Sequence, residues 1–370
     1  MKAWKLGDHN PFGFQTDYNR TNVFNIDNID KSSSLATASE KASQSHMRPS
    51  TSFLKDSIKR FAHNPVAMTC FILMLVILLM VIFVPIIVPY GYEENLSVEH
   101  NYDDTYKFLA PFQYSDTEKA MIANGQFVFP HIFGTDSASR DFFVRVFYGA
   151  RISLIVGVFA AIIVLVIGSI YGAVSGYYGG KVDMVMMRIV DLIYSLPDVV
   201  VIILLAAVLK KALVLDSDSF LGKLGVGMIS IFIVFALLYW VGMARLVRGQ
   251  VLSLKQQEYC LAARSMGCKP SFIIRKHMIP NSMSIIIISA GLEIPSAIFT
   301  ESFLSFIGLG VDAPMPSLGS LASDGRTYLT SIPARPYLLF APALLICLIV
   351  LCLNLIGDGL RDAFDPRLQR

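Results

Sequence analysis

Long apolar runs alternate with polar stretches along this chain. Val66 to Pro89 is almost wholly apolar and about the length that crosses a bilayer. Five comparable runs follow. They are Ile152 to about Tyr171, Ile189 to about Leu209 interrupted by Pro197, and Leu224 to about Val247, then Ser282 to about Leu309 and Tyr337 to about Gly357. The pattern predicts an all-α polytopic membrane protein with about six transmembrane helices and an extracytoplasmic region between spans one and two.

The polar stretches divide the rest. Residues 1–60 are rich in Ser, Asn and Asp and predict a disordered cytoplasmic tail without signal-peptide grammar. Residues 61–90 then hold the first span, and residues 91–151 mix aromatics with acids as a small cap. Within the cap, Phe142, Phe143, Val146 and Phe147 share a face at helical spacing. This predicts an amphipathic helix in the interface, with Arg140, Arg145 and Arg151 on its wet side. Residues 152–357 form the core, residues 358–370 a short cytoplasmic tail, and Gly310 to Pro336 reads as a Pro-, Gly- and Ser-rich outer loop.

Composition supports the membrane class and charge sets the orientation. Hydrophobic residues make up 54% of the 370 and charged ones 16%, with a mean hydropathy of +0.56. A soluble globule of this size cannot hide that much apolar surface. Lys55, Lys59 and Arg60 precede the first span, and Arg361, Arg367 and Arg370 follow the last, which predicts both termini inside. The net charge of +3 is too small and scattered to suggest nucleic acid. Cys260 and Cys268 have no Cys or His pair at zinc spacing, so no metal site is expected.

One polar stretch is different in kind. Residues 249–281 lie between two spans and carry Lys255, Arg264, Lys269, Arg275 and Lys276, a cytoplasmic signature. Glu258 opens a helical run ending at Gly267; Pro270 opens a second, and Pro280 is expected to close it. Two short helices at an angle make an elbow that another protein could dock on. Inside the spans, charged groups are functional candidates by default. Asp191 stands three residues after Arg188, at a spacing that pairs them as a gate or a structural tie. Glu293, just before Pro295, and Glu301 are candidates for lining the solute path. Gly168, Gly172 and Gly176 recur every fourth residue, a spacing that suits close packing with a partner permease or simple flexibility.

The elbow resembles the coupling loop of ABC importer permeases, whose pattern is Glu-Ala-Ala, three residues, Gly, nine residues, Ile-x-Leu-Pro. Ala262, Ala263, Gly267 and Pro280 fall in register, while Leu261, His277 and Ile279 depart from it. Glu-Tyr before and His-x-x-Pro-Asn after are similar to the oligopeptide/dipeptide branch. Gly134 to Asp141 resembles a Gly-Thr-Asp-x-x-Gly-Arg-Asp signature shared with nickel permeases, with Ser139 in place of the second Gly. Thr300 to Gly310 and Gly357 to Arg367 resemble two further runs of the same family.

The resemblance implies the type I importer permease fold and the C-type, channel-forming subunit of an ATP-driven peptide importer in a bacterial cytoplasmic (inner) membrane. Its implied partners are a sister permease in a heterodimer, two ABC ATPase subunits, an extracytoplasmic substrate-binding protein and membrane lipid. Glu258, Ala262, Ala263, Gly267, His277 and Pro280 would then belong to the ATPase-docking elbow. The sequence has no Walker-type phosphate loop and no catalytic constellation, so a non-catalytic subunit without cofactors is expected. A nickel or other small-solute permease is the alternative within the class. An ion-coupled secondary transporter is the alternative outside it, though no inverted repeat is visible.

Overall fold

The computed structural model describes residues 53–99, 104–212, 225–311 and 315–364. Five helices in it are long and apolar enough to cross a membrane, or six if one bent pair counts as a single span. Helix α1 (Phe53–His63) is amphipathic and precedes α2 (Pro65–Ile87), the first span. The sharp start of α2 is local chemistry. Asn64 Oδ1 accepts from the Val66 and Ala67 amides at 3.2 Å, and Pro65 sits where its missing N–H costs nothing. The tail expected through residue 60 therefore gives way to helix at Phe53; residues 1–52 lie outside the described residues. Phe71, Leu75, Ile82 and Ile86 of α2 stand exposed, as a face turned to lipid requires.

The cap contains two short helices, α3 (Leu96–Glu99) and α4 (Asp116–Ala123). The interfacial helix expected at its end does not form as a separate piece. Helix α5 starts at Phe142 and runs unbroken to Tyr178, capped by Asp141 Oδ1 on the Val144 amide at 2.9 Å. Phe142, Phe143, Val146 and Phe147 are buried with α2 and the last span rather than facing lipid. Of the three arginines expected on a wet side, Arg145 is buried, Arg140 half-buried and Arg151 exposed. With apolar groups on every face of its first turns, the helix has to enter the protein, not lie on it.

Helix α5 is the central column. Along its second half, Gly168, Gly172 and Gly176 meet helix α9 (Trp240–Leu254). A Cβ on Gly168 would sit 2.6 Å from Met243 Cβ, and one on Gly176 would sit 3.0 Å from Val251 Cβ. The small-residue stripe thus serves packing inside this chain, not contact with another permease.

Two helices follow α5. Helix α6 (Gly180–Tyr194) rises from the same end, and α7 (Asp198–Ala212) follows at 85° to it. The interruption expected at Pro197 is a break between two helices, because Pro lacks the N–H that would carry the hydrogen-bond ladder across the junction. Helix α8 (Val226–Leu238) runs into α9 through Tyr239, giving one apolar span of 29 residues.

Beyond the elbow, α12 (Ile279–Phe306) and α14 (Tyr337–Phe364) complete the bundle. Between them the expected outer loop holds a helix, α13 (Leu318–Thr327), started by a Ser317/Ser320 capping box and buried through Leu318, Leu321 and Ala322. Helix α14 carries on past Gly357, where close packing explains two of its glycines. A Cβ on Gly357 would press on Leu292, and one on Gly359 would lie 2.5 Å from Ala67 Cβ. Among the described residues no strand forms; Thr135 and Asp141 make one isolated bridge.

Candidate functional site

The elbow is built differently from two short helices. Helix α10 (Glu258–Ser265) is the only free-standing piece; α11 (Pro270–Ile273) leads through a π turn at Ile274–Met278 straight into α12. Residues 270–306 form one helical rod, and Pro280 lies inside it. In the π turn the Ile279 amide reaches back five residues to the Ile274 carbonyl. This wider turn shifts the ladder and makes room at the position where Pro280 would otherwise clash with the preceding turn. Pro280 therefore does not stop the helix.

Gly267 turns the chain between α10 and the rod. It has φ +75°, and its neighbours close a Schellman cap: Cys268 N–H donates to Ala263 O at 3.1 Å and Gly267 N–H to Arg264 O at 3.0 Å. No atom lies within 4 Å of where its Cβ would stand, so backbone conformation, not space, demands glycine.

The two alanines of the elbow have opposite fates. Ala263 is 3% exposed and packs with Cys260, Ile273, Met278 and Val251. Ala262 is exposed, beside Leu261 and Met266, whose side chains are 49% and 76% exposed. Ala263 therefore pins α10 to its own chain and is not free to touch a partner. Glu258 and Pro280 are exposed. His277 is half-buried between two partly exposed rings, Tyr259 on α10 at 6.2 Å and Phe272 on α11 at 5.8 Å between centroids. Beside Phe272 a shallow pocket of 460 Å³ is lined by Cys268, Lys269, Ser271 and Arg275. The result is a stiff apolar knob with a basic rim, anchored at its base.

Two ion pairs tie α9 to α6 near this end. Arg248 grips Asp183 bidentately, Nε to Oδ1 and Nη2 to Oδ2 both at 2.6 Å, while Ser175 Oγ donates to Oδ1 at 2.5 Å. Asp191 pairs with Arg245, 2.8 Å away on α9, and not with Arg188 of its own helix. A base placed before an acid is the weaker order for an intrahelical pair, and tertiary contact overrides it. Asp183, Arg245 and Arg248 gave no separate signal in sequence, since only the fold brings them together.

The two glutamates of α12 differ. Glu301 is fully buried, accepting from Ser153 Oγ of α5 at 2.7 Å and from Ser305 Oγ at 2.8 Å. It faces the interior of the chain and anchors helix to helix, rather than an open path. Ser305 Oγ also accepts from the Val311 amide at 3.2 Å, and Gly308 takes φ +85° to close the helix. The Thr300–Gly310 run is thus a helix terminus locked to a buried carboxyl. Glu293 is half-buried, without such a serine cradle.

At the far end of the bundle, the cap holds a charged cluster that sequence reading missed. His131 is fully buried between Asp141, at 2.6 Å from Nδ1, and Glu118, at 3.0 Å from Nε2. Burial alone would lower the imidazole pKa, but the two carboxylates more than offset it and hold it at about 9. Burial likewise pushes Glu118 up, yet His131 and the Ser115 amide bring it below its ordinary value. Nearby, Asp136 binds Arg145 and takes Arg140 Nε at 2.9 Å, so the Gly-Thr-Asp run is a cap for α5. Ser139, where the resembling signature has glycine, takes φ +56°, and its buried hydroxyl has no hydrogen-bond partner.

With this geometry in view, the likenesses to known proteins are specific. The family described as binding-protein-dependent transport system inner membrane component matches residues 166–370, and the N-terminal TM domain of oligopeptide transport permease C matches residues 52–122. The oligopeptide transport system permease protein OppC of Bacillus subtilis is 41% identical over 323 residues, covering 87% of this chain and 92% of that one. The dipeptide transport system permease protein DppC of the same organism is 41% identical, covering 87% of this chain and 88% of that one. The OppC protein of Escherichia coli is 39% identical over 317 residues, covering 85% and 92%.

Proposed function

From the premise that the chain belongs to the binding-protein-dependent transport system inner membrane component family, we propose that it is the channel-forming subunit of an ATP-driven importer for oligopeptides or dipeptides. The names of its relatives favour peptides over the nickel alternative, and membership sets aside the ion-gradient transporter. The chain is a non-catalytic subunit of a multi-pass inner-membrane system, and ATP hydrolysis belongs to separate ATPase subunits.

The observation that carries the mechanism is the anchored elbow. Its exposed face, with Leu261 and Ala262 on α10 and Met266 capping its end, offers an apolar knob for an ATPase groove, and Glu258 and the basic rim steer the approach. Cys260 and Ala263 fix the base of the knob to α9 and to the rod that becomes α12. A push on α10 therefore moves two spans as rigid bodies, the means by which closure of an ATPase pair rocks a transporter between states. Gly267 sets the angle of the knob, His277 wedges α10 against the rod, and Pro280 marks the π turn where the rod can flex. In this reading the elbow end and both termini face the cytoplasm, and residues 91–141 meet an extracytoplasmic substrate-binding protein. A sister permease completes the pore, with two ATPase subunits beneath it. Residues 152–357 act as the moving core, with Asp191 and Glu293 toward the path and Glu301 as a fixed anchor.

The test is reconstitution. Liposomes holding this chain with a sister permease and two ATPases should accumulate a labelled peptide when given ATP and the binding protein. The purified chain alone should hydrolyse no ATP. ATP-independent accumulation, or turnover by the chain alone, would contradict the proposal.

A further inference from the structure

Asp191 lies eleven residues beyond the start of α6 and Arg245 nine before the end of α9, so both stand roughly 14–16 Å along their helices from the elbow end. Both positions fall inside stretches long and apolar enough to cross a membrane, Asp191 in the bent pair and Arg245 in the span Val226–Leu254. Yet their side chains are 53% and 37% exposed. A charged pair open at that depth faces water or protein, because facing lipid is too costly. It is also the weaker of the two ties between α6 and α9. The Asp183–Arg248 contact is bidentate, while Arg245 gives Asp191 a single hydrogen bond.

The surroundings extend the open face. Arg245 stacks over the Tyr194 ring, 4.1 Å from its centroid, and Tyr194 is 68% exposed. Tyr194 in turn lines a pocket of 420 Å³ at the break between α6 and α7, with Leu196, Pro197, Leu238, Tyr239 and Gly242. Broken helices with a cavity at membrane depth are where transporters hold polar solutes. The pocket is lined by apolar side chains with two tyrosines, and through Tyr194 it adjoins Arg245 and the Asp191 bonded to it.

We propose that this rim is a binding site for the charged ends of a peptide in transit, with Arg245 taking the terminal carboxylate and Asp191 the terminal ammonium. This rests on the peptide-importer reading and adds which part of the solute is recognised. Peptides of different sequence share their two charged ends and little else, so a site tolerant of side chains has to read those ends. The exchange is balanced in charge. When the Arg245–Asp191 pair opens, each group finds the opposite charge on the peptide, and no unpaired ion is left inside the membrane. Tyr194 and Tyr239 then offer ring faces to side chains of varied size.

The experiment is direct binding to the purified complex of this chain with its sister permease and ATPases, without the binding protein. The probe is a tripeptide with a fluorophore on a central Lys side chain, in three forms: free ends, C-terminal amide, and N-acetyl. In the unmodified complex the amide should weaken binding about tenfold or more, the size of one lost charge-assisted hydrogen bond. In Arg245→Gln the amide should have no further effect, and in Asp191→Asn the acetyl group should have none. Arg245→Lys should retain part of the preference for a free carboxylate, and it serves as the test if Arg245→Gln fails to assemble. Equal cost of the amide in Arg245→Gln and in the unmodified complex would overturn the proposal. So would undiminished end-selective binding by the double variant Asp191→Ala/Arg245→Ala, which removes both charges and would mark the pair as a structural tie. Absence of any peptide binding to the unmodified complex would also overturn it, and uptake with the binding protein present would then still support the importer reading.

Discussion

Gly172 lies so close to Ala244 that a Cβ on it would press into the Ala244 carbonyl, and the Arg248 amide would stand only 3.0 Å away. Both contacts are backbone, which cannot swing aside as a side chain can. Gly172→Leu should therefore force α5 and α9 apart, at a cost of about 1–3 kcal/mol or more from overpacking. Thermal unfolding of the detergent-purified complex is the measurement. Gly249→Ala is the control: it has open space around it and should be neutral or slightly stabilising.

Ser139 should be better as glycine. Its φ of +56° costs an L-residue about 1–2 kcal/mol, and its buried hydroxyl lacks a partner. Ser139→Gly relieves both, so the unfolding midpoint should rise. Ser139→Val, which has a branched Cβ in the same conformation, should lower it. An unchanged midpoint in both variants would mean the turn does not limit stability.

The buried imidazole of the cap gives a pH dependence with a definite sign. Because its folded pKa is raised from 6.5 to about 9, the contribution of His131 is fully present below 6.5 and is lost as pH climbs through 9. Stability should fall across that window by up to about 1.4 kcal/mol per pH unit. Glu118 works the other way, since its pKa is lowered and its share is lost only as pH falls through the depressed value. Unfolding followed from pH 6.5 to 9.5 should show the slope in the unmodified complex and a flatter one in His131→Gln.

The turn at Gly267 separates conformation from bulk. Asn tolerates a positive φ and Val does not, while both have open space at the position. Gly267→Asn should keep most ATP-driven uptake, and Gly267→Val should lose most of it while the chain still inserts. Uptake and ATP hydrolysis by the reconstituted complex check this, and equal behaviour of the two variants would show that the elbow angle is immaterial.

The apolar runs were legible because lipid leaves the sequence few ways to cross it, and the elbow was legible from its charge and its Gly267. What escaped the sequence depended on partners far along the chain. Pro280 reads as a stop, but a π turn at Ile274–Met278 carries the helix past it. Arg145 reads as a wet residue, yet it is buried on Asp136. Asp191 has a plausible neighbour in Arg188, and only the packing of α6 on α9 gives it Arg245. Helix α13 hid in a loop-like composition because its burial against α12 and α14, not its own propensity, makes it a helix.

The central claim is that the exposed face of α10 is the surface an ATPase pushes on. Single cysteines at Ala262, Met266 and Ala263, in a chain with Cys260→Ala and Cys268→Ser, can be crosslinked to the ATPase subunit in native membranes. The account predicts adducts from Ala262 and Met266, which are exposed, and none from Ala263, which is buried. Failure of both exposed positions to capture the ATPase in an assembled, transporting complex would contradict it.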